Sequence, residues 1–262
     1  MAEAVGKESE AEFRLQDLHC HTTMSDGHLT LDEVVAAARA NGVEIGIADH
    51  VSTRNVARFV SDEKQVRAYL DAIDAAPVFR SGEFCWCDTM WRELPDEVMS
   101  RFDYRIGSNH GFWLPDGSVA SPWWETLPPP WDAEPHRLME IMAANLCDMV
   151  RAMPIHIAAH STMIPPALLA RESDVHAWWT EELEDRWVEA LAKTGVALEI
   201  SNRYRLPHDR LLRKAKEAGV RFSLGSDGHN HRQVARLEWA VETARRVGIT
   251  RAEMFVAERR GS

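Results

Sequence analysis

The chain has 262 residues, of which 45% are hydrophobic and 27% are charged, and its 41 acidic and 30 basic side chains give a net charge of −11. This composition predicts a soluble globular protein of one large α/β domain or two small ones. The longest apolar runs fall short of a membrane helix, and the acidic balance argues against an extended nucleic-acid-binding surface, which needs a basic face.

The N-terminal segment, residues 1–12, is polar and acidic and has no apolar stretch of the kind that signal peptides carry. We interpret it as a disordered leader before a single domain at 13–262. The four cysteines are too few for a disulfide scaffold, and without an export signal we expect a cytoplasmic protein. Cys85 and Cys87 lack the two-residue spacing of zinc and redox motifs, which favours a structural role.

Short β-rich runs alternate with amphipathic stretches along the rest of the chain. The predicted strands are 13–19, 43–49, 78–84, 104–110, 154–160, 196–202 and 221–227. The predicted helices are 29–42, 62–75, 134–151, 178–194, 206–220 and 231–247. The first helix has Asp32 and Glu33 in its first turn and Gly42 at its C-terminal end, as helix caps favour. This alternation predicts a parallel sheet with right-handed crossovers.

Seven strand–helix units favour a closed or nearly closed barrel, and a doubly wound open sheet is the alternative. The first strand is not followed by a glycine-rich dinucleotide motif, which the open sheet often carries. In addition, chemically active side chains occur at the C-terminal ends of nearly all the predicted strands, and barrel enzymes assemble their active sites at that end.

Nitrogen and oxygen donors end or follow six of the seven predicted strands. Since residues i and i+2 of a strand face the same way, His19 and His21 project together, as do Asp227 and His229. The candidate ligands are His19, His21, Asp26, His50, Glu83, His110, His160, Asp227 and His229. Imidazole with carboxylate suits Zn, Mn or Fe, and nine ligands are enough for two or three divalent ions. A single histidine at a strand end is more often structural, and the other six histidines are interpreted in that way.

The motifs DLHCHTTMSDG, GVEIGIADH, GEF, NHG, AAH, LEISN and LGSDGH, taken in order, resemble those of the PHP family, named for polymerase and histidinol phosphatase. The resemblance covers about residues 13–247. It implies a distorted (β/α)7 TIM-like barrel and a trinuclear metal site. The first metal would be held by His19, His21, Glu83 and Asp227. The second would be held by His110 and His160, with Glu83 bridging. The third would be held by Asp26, His50 and His229.

The resemblance also implies the hydrolysis of phosphate esters. A hydroxide bridging the first two metals would attack a small phosphate monoester, with a histidinol-phosphate-like compound as the foremost substrate. The residues expected to carry catalysis are His19, His21, Glu83 and Asp227. The alternatives are a phosphodiesterase acting on nucleotides or short oligonucleotides and a non-catalytic metal-binding module. Amidohydrolases are disfavoured because no lysine ends a strand, and TatD-like nucleases because they lack the third-metal set.

Further residues are expected around this site. Arg54, Arg203, Arg205 and Asn202 follow the second and sixth strands on its side, and a guanidinium fork suits phosphate. A solvated loop is the alternative for each arginine, and Glu199 is given at most a supporting role. The Trp- and Pro-rich loop 112–135 is expected to be a lid or substrate wall, with a barrel cover or a subunit contact as alternatives. The oligomeric state is not determined by the sequence.

Overall fold

The computed structural model describes residues 14–53 and 60–259. The predicted leader, residues 1–12, and the predicted substrate contact Arg54 both lie outside the described residues.

The strands are short, and their pairing in the two main sheets is parallel. They are β1 (Gln16–Asp17), β2 (Glu44–Ile47), β3 (His50–Val51), β4 (Phe79–Arg80), β5 (Glu83–Cys85), β6 (Ile106–Ser108), β7 (Phe112–Trp113), β8 (Val119–Ala120), β9 (Ile157–Ala158), β10 (Ala197–Ser201) and β11 (Phe222–Gly225). One sheet has the order β1-β2-β4, and the other has the order β11-β10-β9-β6-β5-β3. The prediction of a mixed α/β fold with parallel strands is confirmed.

Two of the predicted strands are interrupted, and the two sheets meet at these breaks. β3 continues the course of β2, and β5 continues that of β4, each after two residues. The Ser81 amide donates to the Ile47 carbonyl at 2.9 Å, and the Glu83 amide to the Asp49 carbonyl at 3.0 Å. On the other side, the Leu18 amide donates to the Leu224 carbonyl at 3.0 Å. The sheets are therefore hydrogen-bonded to each other at both of these places.

The helices cover the outside of the sheets. They are α1 (Leu31–Ala40), α2 (Glu63–Asp74), α3 (Met90–Glu93), α4 (Asp96–Met99), α5 (Pro135–Ala152), α6 (Pro166–Leu169), α7 (Val175–Trp178), α8 (Glu181–Thr194), α9 (Asp209–Glu217) and α10 (Glu238–Arg246), with a 3-10 turn at Arg251–Glu253. Thr30 and Glu33 form a capping box at α1, and Asp62 and Thr180 accept amide bonds at the starts of α2 and α8. Each of the six predicted helices overlaps one of the longer helices; five contain it, and α5 extends one residue beyond the predicted end at 151.

Two groups of buried side chains fill the fold. The larger group lies between the sheets and the helices and includes Val34, Leu70, Leu146 and Trp187. The smaller group consists of side chains from successive strands and from the C-terminal segment: Leu18, Ala48, Phe79, Tyr104, Ile106, Ile157, Ala159, Ala197 and Ala257. Because strand residues alternate between faces, the strands contribute to both groups and are held from both sides.

The segment predicted as one irregular insertion, 112–135, is partly regular. β7 and β8 form an antiparallel hairpin that pairs Phe112 with Ala120 and Trp113 with Val119. The Leu114–Pro115–Asp116–Gly117 turn supplies the reversal, and Gly117 has φ +82°, a conformation that glycine adopts without strain. Among the described residues, no helix is long and apolar enough to cross a membrane.

Candidate metal centre

All nine predicted ligands lie close together, around the carboxyl ends of β1, β6, β9 and β11 and the starts of β3 and β5; we call them the strand-end cluster. His50 and Glu83 open β3 and β5 and are directly paired in the parallel register. His110 and His160 each lie two residues after a strand, and Asp227 and His229 follow β11. Most of these side chains are buried, whereas Asp26 is 41% exposed. The structure therefore brings together residues that are up to about two hundred positions apart in sequence.

Glu83 is the centre of the strand-end cluster. Its ion-pair partners among the described residues are five histidines. Oε1 lies 3.1 Å from His110 Nε2, 3.1 Å from His160 Nε2 and 3.5 Å from His19 Nε2. Oε2 lies 2.9 Å from His50 Nδ1 and 3.6 Å from His21 Nε2. One buried carboxylate thus reaches five imidazoles, which is the position that a bridging ligand occupies.

Asp227 and Asp26 extend the cluster on one side. Asp227 Oδ1 lies 3.2 Å from His21 Nε2 and 3.4 Å from His229 Nδ1. Asp26 Oδ1 lies 3.3 Å from His229 Nε2 and 3.5 Å from His50 Nε2. Asp227 also has φ +47° and His160 has φ +28°, which are rare for residues with a side chain. Such strain costs about 1–3 kcal/mol and is typical of functional positions.

The electrostatics of the cluster couple carboxylates to imidazoles. Burial favours the neutral form of Glu83, but His110, His50 and His19 outweigh it and lower the pKa of Glu83 well below its usual value. Burial and the neighbouring His50 lower the pKa of His21 to about 3, so that this imidazole is neutral at physiological pH. Burial alone would lower the pKa of His50, but Glu83 and Asp26 raise this pKa to about 9. The carboxylates therefore attract positive charge to this place, and a divalent cation would release protons on binding.

The donor atoms of the cluster fit divalent metal ions. His19 Nε2, both ring nitrogens of His21 and Glu83 Oε2 are buried without a hydrogen bond of acceptable geometry. Leaving such an atom without a partner costs about 1–3 kcal/mol, and four of them in one place call for an explanation. Imidazole nitrogen and carboxylate oxygen are the donors that Zn, Mn and Fe accept.

Three overlapping groups of donor atoms lie within 4.8 Å of one another: His21, Asp26, His50 and His229; His19, His21 and Glu83; and His50, Glu83 and His110. The first group contains the predicted third-metal set, and the second contains three of the four predicted first-metal ligands. The third group contains His50 where the prediction has His160. The division of ligands among individual ions stays a prediction.

Glu199 contacts two of the predicted ligands, and these contacts were not predicted from the sequence. Its Oε1 lies 2.9 Å from His19 Nδ1, and its Oε2 accepts a bond from the His160 amide at 2.6 Å. Since a carboxylate only accepts, Nδ1 of His19 carries a proton, and Nε2, which faces Glu83, is the ring nitrogen that would bind a metal. A Cβ on Gly225 would lie 1.8 Å from Glu199 Oε1, so glycine is required there. Strand alternation with the inward-facing Ala197 could have placed Glu199 inside.

Two buried aspartates hold the loops that carry ligands. Asp49 accepts bonds from the Thr22 amide at 2.7 Å and from the Ser25 hydroxyl at 2.5 Å, which fixes the turn before Asp26. Asp17 accepts bonds from the Ser226 amide at 2.8 Å and the Ala235 amide at 3.1 Å, which fixes the segment around Asp227. Burial raises the pKa of each aspartate to about 6.

The predicted substrate residues separate into different roles. Arg203 Nη1 lies 3.2 Å from Asp227 Oδ2 and 2.9 Å from His229 Nδ1, and the side chain is 32% exposed. Arg205 is exposed in the turn that follows β10. Asn202 Oδ1 instead accepts bonds from the Trp239 and Ala240 amides at 2.9 and 3.1 Å, in the first turn of α10. Its carbonyl oxygen therefore has structural partners, and Asn202 is not among the substrate contacts proposed below.

The tautomer of His229 determines whether this histidine accepts a hydrogen bond from Arg203. Nδ1 of His229 lies 2.9 Å from the Asp227 carbonyl oxygen, an acceptor, and 2.9 Å from Arg203 Nη1, a donor. One tautomer serves only one of these partners. If His229 held a metal through Nε2, the proton would lie on Nδ1 and be directed at the carbonyl, and Arg203 Nη1 would keep Asp227 Oδ2 as its partner at 3.2 Å.

Comparisons with known proteins agree with this arrangement. A family model described as PHP domain matches residues 17–203. The chain is 26% identical over 241 residues to the DNA polymerase/3'-5' exonuclease PolX of Bacillus subtilis (strain 168), covering 88% of this chain and 37% of that protein. The chain thus spans little more than a third of that curated relative. The catalytic domain of beta-amylase from Paenibacillus polymyxa aligns at 14% identity over 89% of this chain and 83% of that one, with a TM-score of 0.31, which is too low to support an argument.

Proposed function

The chain belongs to the PHP domain family, and we propose that it hydrolyses small phosphate monoesters with two or three divalent metal ions. The observation that carries this proposal is the convergence of five histidines on the buried Glu83, with four donor atoms left without hydrogen bonds. When bound, the ions would lower the pKa of a nucleophilic water and offset the negative charge of the phosphoryl group. This accounts for phosphate binding by a chain with a net charge of −11.

The residues of the site would have different roles in this reaction. Glu83 and Asp227 stay ionised because neighbouring histidines hold their pKa values below the usual range. Glu199 fixes the tautomer of His19, and Asp49 fixes the turn that carries Asp26. Arg203, at the exposed edge beside Asp227, would donate to a phosphate oxygen. Arg205 is a second candidate for such a contact from the same turn.

We propose a closed, distorted (β/α)7 barrel as the architecture that positions these residues. If β2 with β3, and β4 with β5, each count as one strand, seven strands follow one another in parallel. The Leu18–Leu224 hydrogen bond and the parallel bridge between Cys20 and Gly228 support closure between the first strand and the last. Active sites of such barrels lie at the carboxyl ends of the strands, where the nine ligands are.

The substrate is proposed to be a small monoester, with a histidinol-phosphate-like compound foremost. Phosphodiester cleavage is the second candidate, and the name of the Bacillus subtilis relative, a DNA polymerase and 3'-5' exonuclease, favours it. The acidic charge disfavours a long nucleic acid and leaves nucleotides and short oligonucleotides. A non-catalytic metal-binding module is disfavoured, because each of the nine ligand positions holds a residue type that can ligate.

The test combines metal analysis with two substrates. The purified protein, reconstituted with Zn, Mn or Fe, is analysed for metal and assayed for phosphate release from histidinol phosphate and for cleavage of bis(p-nitrophenyl) phosphate. We expect two or three equivalents of metal and faster turnover of the monoester. His19→Ala should remove activity, while His176→Ala, an exposed histidine elsewhere, should retain it. Less than one equivalent of metal after reconstitution would refute the proposal, and cleavage of the diester alone would favour the second candidate.

A further inference from the structure

Two aromatic side chains lie against histidines of the strand-end cluster. The ring of Trp123 is 5.6 Å from that of His110, with the planes 33° apart. The ring of Tyr204 is 5.3 Å from that of His160, in an edge-on arrangement at 64°. His110 and His160 are themselves stacked at 5.3 Å and both reach Glu83 Oε1. Aromatic surface therefore borders the part of the centre that these two histidines form.

Trp123 is held at the surface by an anchored loop. Its own side chain is 37% exposed, whereas Pro122 and Leu127 are buried. The Trp124 carbonyl accepts a bond from the Ala167 amide at 2.9 Å, and the Trp124 ring packs edge-on against Phe112. The Trp123 amide donates to the Ser121 hydroxyl at 3.1 Å. A large aromatic face kept in water next to a candidate active site is an informative feature, because its burial by a ligand is favourable.

Arg203 and Tyr204, which are adjacent in the turn after β10, bring a cation and an aromatic ring close together. The Arg203 guanidinium carbon lies 5.2 Å from the centre of the Tyr204 ring, and Nη1 of Arg203 lies 3.2 Å from Asp227 Oδ2. Arg203 thus stands beside the ligands while Tyr204 presents a ring next to His160. A ligand that satisfies both features carries an anionic phosphate and, attached to it, a planar ring.

We propose that Trp123, together with Tyr204, forms a stacking subsite for the planar aromatic group of a small phosphate ester. This deepens the proposed function and rests on it, since the metal centre would hold the phosphate and the subsite would select what is attached to it. Nucleobases and imidazoles share the required π face. The same loop also carries Trp113, which is 36% exposed and serves as a size- and exposure-matched control.

The experiment compares AMP with ribose 5-phosphate on the metal-reconstituted full chain. The two compounds share the phosphate and the ribose and differ in the base, so the ratio of their kcat/KM values isolates the ring. Trp123→Ala should lower the AMP preference between about fivefold and about a hundredfold, the range that base–aromatic stacking gives. Trp123→Phe should retain most of the preference, and Trp113→Ala should leave it unchanged. Equal losses on both compounds in Trp123→Ala would overturn the inference while leaving phosphate hydrolysis intact.

Calorimetric binding separates this inference from the proposed reaction. The metal-loaded wild type should bind AMP more tightly than ribose 5-phosphate, and Trp123→Ala should remove the difference. That result without turnover of either compound would support the subsite and contradict the hydrolysis. No difference in the wild type would overturn the subsite for nucleobases, and histidinol phosphate then tests the imidazole. If Trp123→Ala binds histidinol phosphate as tightly as the wild type does, the inference is overturned entirely.

Discussion

Among the described residues, two places bring at least two histidines and a buried glutamate together, and they differ in the other side chains that contact the glutamate. One is the strand-end cluster around Glu83. The other, which we call the helix cluster, consists of His176, Glu184 and His208, whose donor atoms also lie within 4.8 Å of one another. The ion-pair partners of Glu83 among the described residues are histidines, whereas Glu184 has two permanent cations as well. Arg210 Nε lies 2.9–3.0 Å from both carboxylate oxygens, and Lys214 Nζ lies 3.2 Å from one.

This difference distinguishes the candidate metal centre from a group of structural ion pairs. Arg210 and Lys214 already neutralise the fully buried Glu184 side chain, so a divalent ion there would be placed beside two positive charges that cannot leave. Around Glu83 the positive charge sits on imidazoles, which give up a proton when a metal binds. The proximity of histidine and carboxylate therefore does not by itself identify a metal site, since His208 Nε2 in the helix cluster is also buried without a hydrogen bond. What distinguishes the strand-end cluster is that the positive charge beside its glutamate is exchangeable.

The strongest test of the comparison is Glu83→Gln. The substitution keeps the size of the side chain but removes the charge that five imidazoles share. We expect metal content to fall below one equivalent and phosphate release to fall by more than about a hundredfold, since even residues that only support ligands cost 10–100-fold. Elemental analysis and the phosphate assay measure both. A variant that keeps its full metal complement would show that Glu83 is not the bridging ligand.

The next largest effect is expected for Glu199→Gln. The amide can still accept from the His160 backbone, but its NH₂ group would then face His19 Nδ1 and favour the tautomer with the proton on Nε2. Metal affinity, measured by competition with a chelator, should fall by about 10–100-fold. The melting temperature of the metal-free protein serves as the control for folding. Unchanged metal affinity would mean that Glu199 only supports the backbone.

In the helix cluster, Glu184→Gln should act on stability and leave the metal content unchanged. The carboxylate joins α8 to His208, Arg210 and Lys214 at the start and middle of α9. The cations are partly exposed and can regain water, so we expect a loss of about 1–3 kcal/mol in the free energy of unfolding. Urea denaturation measures this loss. A drop in metal equivalents in this variant would contradict the distinction between the two clusters.

The pH dependence of that stability provides the finest test. Burial alone would raise the pKa of Glu184, but hydrogen bonds from His208 and Arg210 outweigh it and lower the pKa from 4.5 to about 2. A lowered pKa in the folded state means that the stabilisation is fully present above pH 4.5 and is lost as the pH falls toward 2. The difference in unfolding free energy between wild type and Glu184→Gln should therefore shrink across this window. A difference that stays constant would show that the carboxylate charge does not stabilise the fold.

Much of the fold follows from local features of the sequence. Thr30 and Glu33 form the capping box that starts α1, and Gly195 in the left-handed conformation ends α8. Both features depend only on residues that are close in sequence. The β7–β8 hairpin was not predicted, since proline and tryptophan obscure any strand alternation there. The breaks between β2 and β3 and between β4 and β5 were not predicted either, because the runs appear continuous in sequence.

For the residues of the site as well, some features could be predicted from the sequence and others could not. The order of motifs was sufficient to recognise the PHP family and to predict Glu83 and the eight other side chains of the strand-end cluster. Strand-end position alone treated Asn202, Arg203 and Arg205 alike, yet Asn202 caps α10, Arg203 reaches Asp227 and Arg205 is exposed. These roles depend on α10 and on the segment after β11, which lie far along the chain.

The strand–helix alternation, the family and the set of candidate donor residues can be predicted from the sequence, because periodicity, caps and motifs depend on residues that are close together along the chain. The fold was needed to show which glutamate keeps its oxygens available. Glu83 meets histidines from several strand ends, whereas Glu184 meets Arg210 and Lys214 from a helix that packs against its own. Charge compensation is a property of groups in contact, and no spacing along the chain reveals which cation will reach which carboxylate.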